Sequence, residues 1–131
     1  MVYCGTDIIE VKRIKEAVES TKGFKENIYT ENEIEDIDKV KSDMKYQRYA
    51  GRFAAKEALY KAMSKILIEN HVTMDFLDIE ILNVKQLSRR PRVIFKKKEI
   101  IELVEKLNLE IDISISHISE AAIAVASVCE K

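Results

Sequence analysis

The chain has 131 residues, 47% of them hydrophobic, which suits a single domain over residues 1–131 with one modest core. Its 22 Lys+Arg against 23 Asp+Glu leave a formal net charge of -1, so no global basic excess points to nucleic acid and any electrostatic docking must come from local patches. No apolar run approaches the roughly 18 residues of a transmembrane helix, and Met1–Gly5 lacks the regions of a signal peptide, so a cytoplasmic protein with no membrane partner is expected.

Residues 2–9 are rich in β-formers and predict a strand, interrupted by Gly5, which permits either a bulge or a close backbone approach. Val11, Ile14 and Val18 then follow the spacing of a short amphipathic helix. Thr30-Glu31-Asn32-Glu33 has the form of a capping box, starting a helix that runs to about Lys39. A long helix without proline is predicted over 44–68. Alternation over 78–84 predicts a strand, Arg89-Arg90-Pro91 a turn, Val93-Ile94-Phe95 another strand, and 97–107 a helix. Segments 111–117 and 121–128 close the chain as a strand pair. The expected class is α+β, a largely antiparallel sheet with a long central helix. Cys4 and Cys129 are expected as free, strand-borne thiols, since they form no CxxC pair and no metal-ligand spacing.

Three polar residues interrupt apolar faces. On the long helix Tyr46, Tyr49, Phe53, Tyr60 and Leu67 predict one apolar stripe, and Glu57 lies only about 40° from Phe53 on that wheel. Lys61 stands one turn further on. A surface pair of Glu57 with Lys61 is one reading; a carboxylate held for a cation or a substrate is the other, because burying it without a partner is costly. Asp7, between Gly5 and Ile8-Ile9, is unusual inside a strand, unless it is a strand-end acid facing solvent. Were the fold to bring Asp7 and Glu57 together, the site would be hard and oxygen-only, suited to magnesium with phosphate oxygens. His117 shares the face of Ile111, Ile113 and Ile115. It is either a satisfied core histidine or a base or phosphate contact at a strand end.

Taken together, Gly5-Thr6-Asp7-Ile8-Ile9-Glu10 with Arg13-Ile14, the run Gly51 to Ala62 (Gly-Arg-Phe-Ala-Ala-Lys-Glu-Ala-Leu-Tyr-Lys-Ala), and Ser114-Ile115-Ser116-His117 before an alanine-rich strand resemble the phosphopantetheinyl transferase family. The resemblance is to its small bacterial acyl-carrier-protein-modifying members and spans essentially the whole chain. It implies transfer of phosphopantetheine from coenzyme A to a carrier serine in fatty acid biosynthesis. It further implies Mg²⁺ held by Asp7 and Glu57, and Lys61 at the phosphate where leaving-group charge develops. Arg52 and Lys56 are implied as coenzyme A contacts or as supports for Glu57. His117 is implied as a contact to the nucleotide phosphate or an aid to proton removal. A homotrimer with the site between subunits is also implied.

Carrier proteins are acidic, and Lys12, Arg13 and Lys15 offer a local basic cluster for docking, with Arg13 best suited to carboxylates. Where the family's central helix gives way to a Gly-Thr-Gly-like turn, this chain has Ser64-Lys65-Ile66, and Lys65 is expected to supply charge in place of backbone approach. Lys41 and Lys45 only loosely match the basic residues that precede the family's central helix. The alternative is a non-catalytic module that holds an acidic partner on its basic first helix.

Overall fold

In a computed structural model, residues 1–84 and 90–131 are described. Strand β1 (Val2–Glu10) leads into helices α1 (Val11–Ser20), α2 (Phe24–Ile28) and α3 (Glu31–Asp38), then the 26-residue helix α4 (Met44–Glu69). A 3₁₀ turn (Phe76–Asp78) precedes β2 (Ile79–Val84), followed by β3 (Arg90–Phe95), α5 (Lys98–Lys106), β4 (Leu109–His117) and β5 (Ala121–Glu130). One sheet has the order β1-β5-β4 and the other pairs β2 with β3, every pairing antiparallel. The α+β expectation and its long central helix are met.

The β1–β5 register runs without a slip from Val2 opposite Cys129 to Glu10 opposite Ala121, so Gly5 makes no bulge. Its role is close approach. A Cβ built on Gly5 would lie 2.0 Å from the Ala58 carbonyl oxygen and 2.7 Å from the Ala62 nitrogen, both on α4. The helix can lie so near because both facing surfaces are small. Ala54, Ala55, Ala58 and Ala62 are buried on α4, and Ala122, Ala124 and Ala126 are buried along β5.

The single stripe expected on α4 is corrected. Tyr46, Tyr49 and Leu67 are buried, but Tyr60 is 49% exposed, while the alanines lying off the stripe are buried. The helix is covered from two sides. The sheet packs on its alanine face, and its first half meets a second core built from Val11, Ile14, Tyr29 and Ile37. Such a helix has no single apolar side.

The capping box forms: Thr30 Oγ1 accepts from the Glu33 amide, and the Thr30 amide donates to Glu33 Oε1 at 2.8 Å. The turn expected at Arg89-Arg90-Pro91 is also corrected. Arg90 and Pro91 open β3, with Pro91 opposite Asn83, an edge position where a missing N–H is tolerated; Arg89 lies outside the described residues. Cys4 and Cys129 are free and strand-borne, as expected.

Candidate active site beside the closest helix–strand contact

The alternation of β1 sends Gly5, Asp7 and Ile9 towards α4 and leaves Thr6 and Ile8 on the opposite face. Asp7 therefore meets α4 just beyond the closest approach at Gly5. Lys61 Nζ donates to Asp7 Oδ1 at 3.2 Å and to the Thr6 carbonyl at 3.0 Å. The ammonium is thus drawn across to the strand, and its ion pair among the described residues is with Asp7 rather than Glu57. Its third N–H has no protein acceptor among the described residues.

Glu57 is half-buried on the same side of α4. Burial, and then the negative charge of Asp7, raise its carboxyl above the ordinary range, with Lys61 opposing. Two carboxylates thus crowd one another beside one ammonium, an arrangement that a divalent cation relieves. Among the described residues no group of three or more His, Cys, Asp or Glu side chains gathers to enclose a metal. Two acids with open positions suit a cation that keeps waters and takes phosphate oxygens, as magnesium does. The residues fit that ion. Beside them a cavity of about 250 Å³ is lined by Lys56, Glu57, Tyr60, Met74, Asp75, Phe76 and Ile79.

His117 is not a core residue. It ends β4 in an exposed position, with Nδ1 2.7 Å from Gln47 Oε1. Burial of the ring and the positive charge of Arg48 push its pKa down. A cavity of about 230 Å³ there is lined by Arg48, Gly51, Arg52, Asn83, Pro91, Ile115 and His117. Gly51 precedes Glu57 by six helical residues, or about 9 Å along the axis. The chain therefore brings Asp7, Glu57 and Lys61 together and leaves His117 on a separate patch.

Lys56 and Arg52, expected as coenzyme A contacts or as supports for Glu57, both turn their charged groups inward. Lys56 donates to Glu33 Oε1 at 2.7 Å, to the Ile28 carbonyl at 2.8 Å and to the Phe76 carbonyl at 3.0 Å. All three of its donors are used, and the whole pair is sealed from solvent. Burial lowers the Lys56 pKa, against the pull of Glu33. Arg52 is buried as well, donating to Asp36 Oδ2 and to the Ile81 carbonyl, each at 2.9 Å. These two cations fix α4 against α3 and β2 and also line the two cavities.

α4 remains helical through Ser64-Lys65-Ile66, so no phosphate-cradling turn interrupts it. Lys65 is exposed, its ammonium 5.8 Å from the Tyr3 ring centre. Lys12 and Arg13 are exposed on α1. Lys15 instead folds back over Tyr46 and towards Asp43, at 3.7 Å. Sequence reasoning missed Gln47, Arg48 and the far wall from Met74 to Phe76. Only the position of Gln47 and Arg48, one turn before Gly51, offered a signal.

A family model described as the 4'-phosphopantetheinyl transferase superfamily matches residues 3–126. The chain belongs to that family. Among relatives in the superfamily, the holo-[acyl-carrier-protein] synthase of Fusobacterium nucleatum subsp. nucleatum is 41% identical over 128 residues, covering 98% of each chain. The crystal structure of Helicobacter pylori holo-[acyl-carrier-protein] synthase in complex with coenzyme A superposes with a TM-score of 0.72 at 32% identity, covering 96% of this chain and 99% of that one. The Bacillus anthracis enzyme, a complex described as CoA (3',5'-ADP), gives 0.73 at 32% identity, covering 96% and 94%.

Proposed function

We propose that this transferase moves phosphopantetheine from coenzyme A to a serine of an apo acyl carrier protein. The serine oxygen forms a bond to the β-phosphorus, the bond to the bridging pyrophosphate oxygen breaks, and adenosine 3',5'-bisphosphate leaves. The observation that carries this reading is the convergence of Asp7, Glu57 and Lys61 where α4 passes closest to β1. The named activity of relatives around 40% identical over nearly the full chain supports it.

Asp7 and Glu57 would hold a magnesium ion, whose chemistry is to draw charge off pyrophosphate oxygens. Lys61, already oriented by Asp7 and Thr6, directs its remaining N–H at the oxygen that gains charge as the bond breaks. Lys56 and Arg52 keep the helix face in place, and exposed Arg13 and Lys12 on α1 steer the acidic carrier towards it.

A homotrimer is part of the proposal. Ile8, Ile123 and Val125 stand exposed on the sheet face away from α4, with Ile8 directly opposite Ile123. Neighbouring copies covering this face would remove an apolar patch from water. Among the described residues no helix is long and apolar enough to cross a membrane, and a cytoplasmic place in fatty acid biosynthesis suits the reaction.

The test is incubation of the protein with coenzyme A, Mg²⁺ and a panel of apo carriers, read by intact mass. The expected result is a carrier heavier by one phosphopantetheine, dependent on Mg²⁺. No mass gain with any carrier refutes the reading. Calorimetry separates the binding-module alternative, which predicts no Mg²⁺-strengthened coenzyme A binding.

A further inference from the structure

The far wall of the cavity beside Glu57 is a short piece of main chain, Thr73 to Phe76, held at both ends. At one end Lys97, just before α5, donates to the Thr73 carbonyl at 2.8 Å and to Thr73 Oγ1 at 2.9 Å. At the other, Lys56 donates to the Phe76 carbonyl at 3.0 Å. Between them the Asp75 amide donates to Asp78 Oδ2 at 2.8 Å. The backbone of Asp75 is therefore fixed, and its exposed side chain belongs to the lining of the cavity. That carboxylate enters no ion pair among the described residues. The basic side chain in the same lining is Lys56, whose ammonium is spent on Glu33 in a pair closed to solvent. Glu57 is the other acid there, and a bound divalent cation would offset its charge. Asp75 then remains as the uncompensated charge of the cavity.

The two ends of coenzyme A differ in charge. The nucleotide end carries a phosphomonoester, which a negative wall repels, whereas the thiol-bearing arm carries no charge. The arm also suits the apolar part of the lining, Met74, Phe76 and Ile79. We propose that Asp75 is a specificity-determining residue: it admits donors whose sulfur is free or carries a neutral group and disfavours those whose sulfur carries an anionic acyl group. The inference rests on the transferase reading and narrows the donors which that reading leaves open. An ionised carboxylate only accepts hydrogen bonds. A second carboxylate brought up to it at neutral pH therefore offers no proton to share and meets like charge.

Alkylating coenzyme A with iodoacetate or iodoacetamide gives two stable donors of nearly equal size, S-carboxymethyl and S-carbamoylmethyl coenzyme A, which differ by a single charge at the sulfur end. The kcat/KM for each, followed as modified carrier by intact mass, is expected to favour the neutral donor about fivefold, the scale of one like charge met across partly solvated space. Asp75→Asn keeps the size of the side chain and its capping ability, and should bring the two donors to near-equal use. Asp75→Glu should keep the preference, and circular dichroism checks that both variants are folded. The preference should also shrink between about 0.02 M and about 0.5 M salt, as screening requires. Equal use of the two donors by the unaltered protein, or a preference unchanged in Asp75→Asn, overturns the proposal. Failure of the underlying reading looks different. A protein that modifies no carrier, yet binds the neutral donor more tightly by calorimetry, refutes transfer and upholds the selectivity.

Discussion

Gly5→Ala puts a methyl group where the structure has backbone. The new Cβ would sit 2.0 Å from the Ala58 carbonyl oxygen, and an ordinary contact begins near 3.4 Å, so β1 and α4 must separate by about 1.4 Å along that line. Neither partner can turn aside, because the obstacle at Ala58 and Ala62 is helix backbone. Overpacking a filled interior costs about 1–3 kcal/mol, and this site belongs at the upper end. An alanine gains back part of that, roughly 0.5–1 kcal/mol, through its lower unfolded-state entropy. A net loss of about 2 kcal/mol corresponds to a melting temperature lower by roughly 7 °C for a chain of this size. The same separation pulls Thr6 and Asp7 from Lys61, and misplacement on the order of 1 Å at a reacting centre costs about 100-fold in turnover. Differential scanning fluorimetry and the carrier-mass assay measure both effects. A Gly5→Ala protein with unchanged melting temperature and turnover would refute the close-approach argument.

Gly51→Ala supplies the contrast. Its Cβ meets only the Cγ2 methyl of Ile115, at 2.9 Å, a half-buried side chain rather than backbone. Alanine gains about 1 kcal/mol inside a helix, so stability should change by less than about 1 kcal/mol; a Gly5-sized loss in thermal melts would contradict this. Lys56→Met strands the Glu33 carboxylate in the interior and is expected to cost about 3–5 kcal/mol in urea unfolding, partly recovered by adding Glu33→Gln. An unchanged midpoint would show that the pair does not anchor α4. Glu57→Gln should abolish most transfer and its Mg²⁺ dependence while leaving the metal-free melting temperature equal or higher, since repulsion with Asp7 is gone; turnover like the wild type's would refute its role as a ligand. Because the folded state raises the Glu57 pKa, it holds that proton more tightly than the unfolded chain does. Lowering pH through that raised value therefore favours the metal-free fold and displaces Mg²⁺, so calorimetry from about pH 8 to about pH 5 should show affinity failing above the ordinary glutamate range. Arg13→Glu should raise the carrier KM about tenfold and leave the coenzyme A KM unchanged; equal changes in both would place Arg13 elsewhere.

Much of the fold was legible because local signals agreed with the final packing. The Thr30–Glu33 box, the proline-free stretch from Met44 and the alternation of the last two strands each specify an element without outside help. Asp7 and Glu57 stood out because a carboxylate in an apolar pattern requires compensation from somewhere. Tyr60 misled because periodicity records which residues are apolar, whereas alanine, too small to mark a face, lets the sheet come closest. The partner of Lys56 was hidden for a related reason. A cation beside a candidate metal-binding acid reads as a phosphate contact, and only the fold reveals Glu33, twenty-three residues away in sequence, as its counterion. Arg13 is exposed on α1, where a solvated helix face looks the same in sequence and in space.

Lys56 and Glu57 are adjacent, so on a helix they point about 100° apart. With Lys56 clamped at three points, rolling α4 about its own axis would break those contacts, so the bearing of Glu57 is set in part by its buried neighbour. The interior pair thus acts as an index pin for the helix. Loosening it would leave every site residue in the chain and still let the carboxylate swing off its line to Asp7.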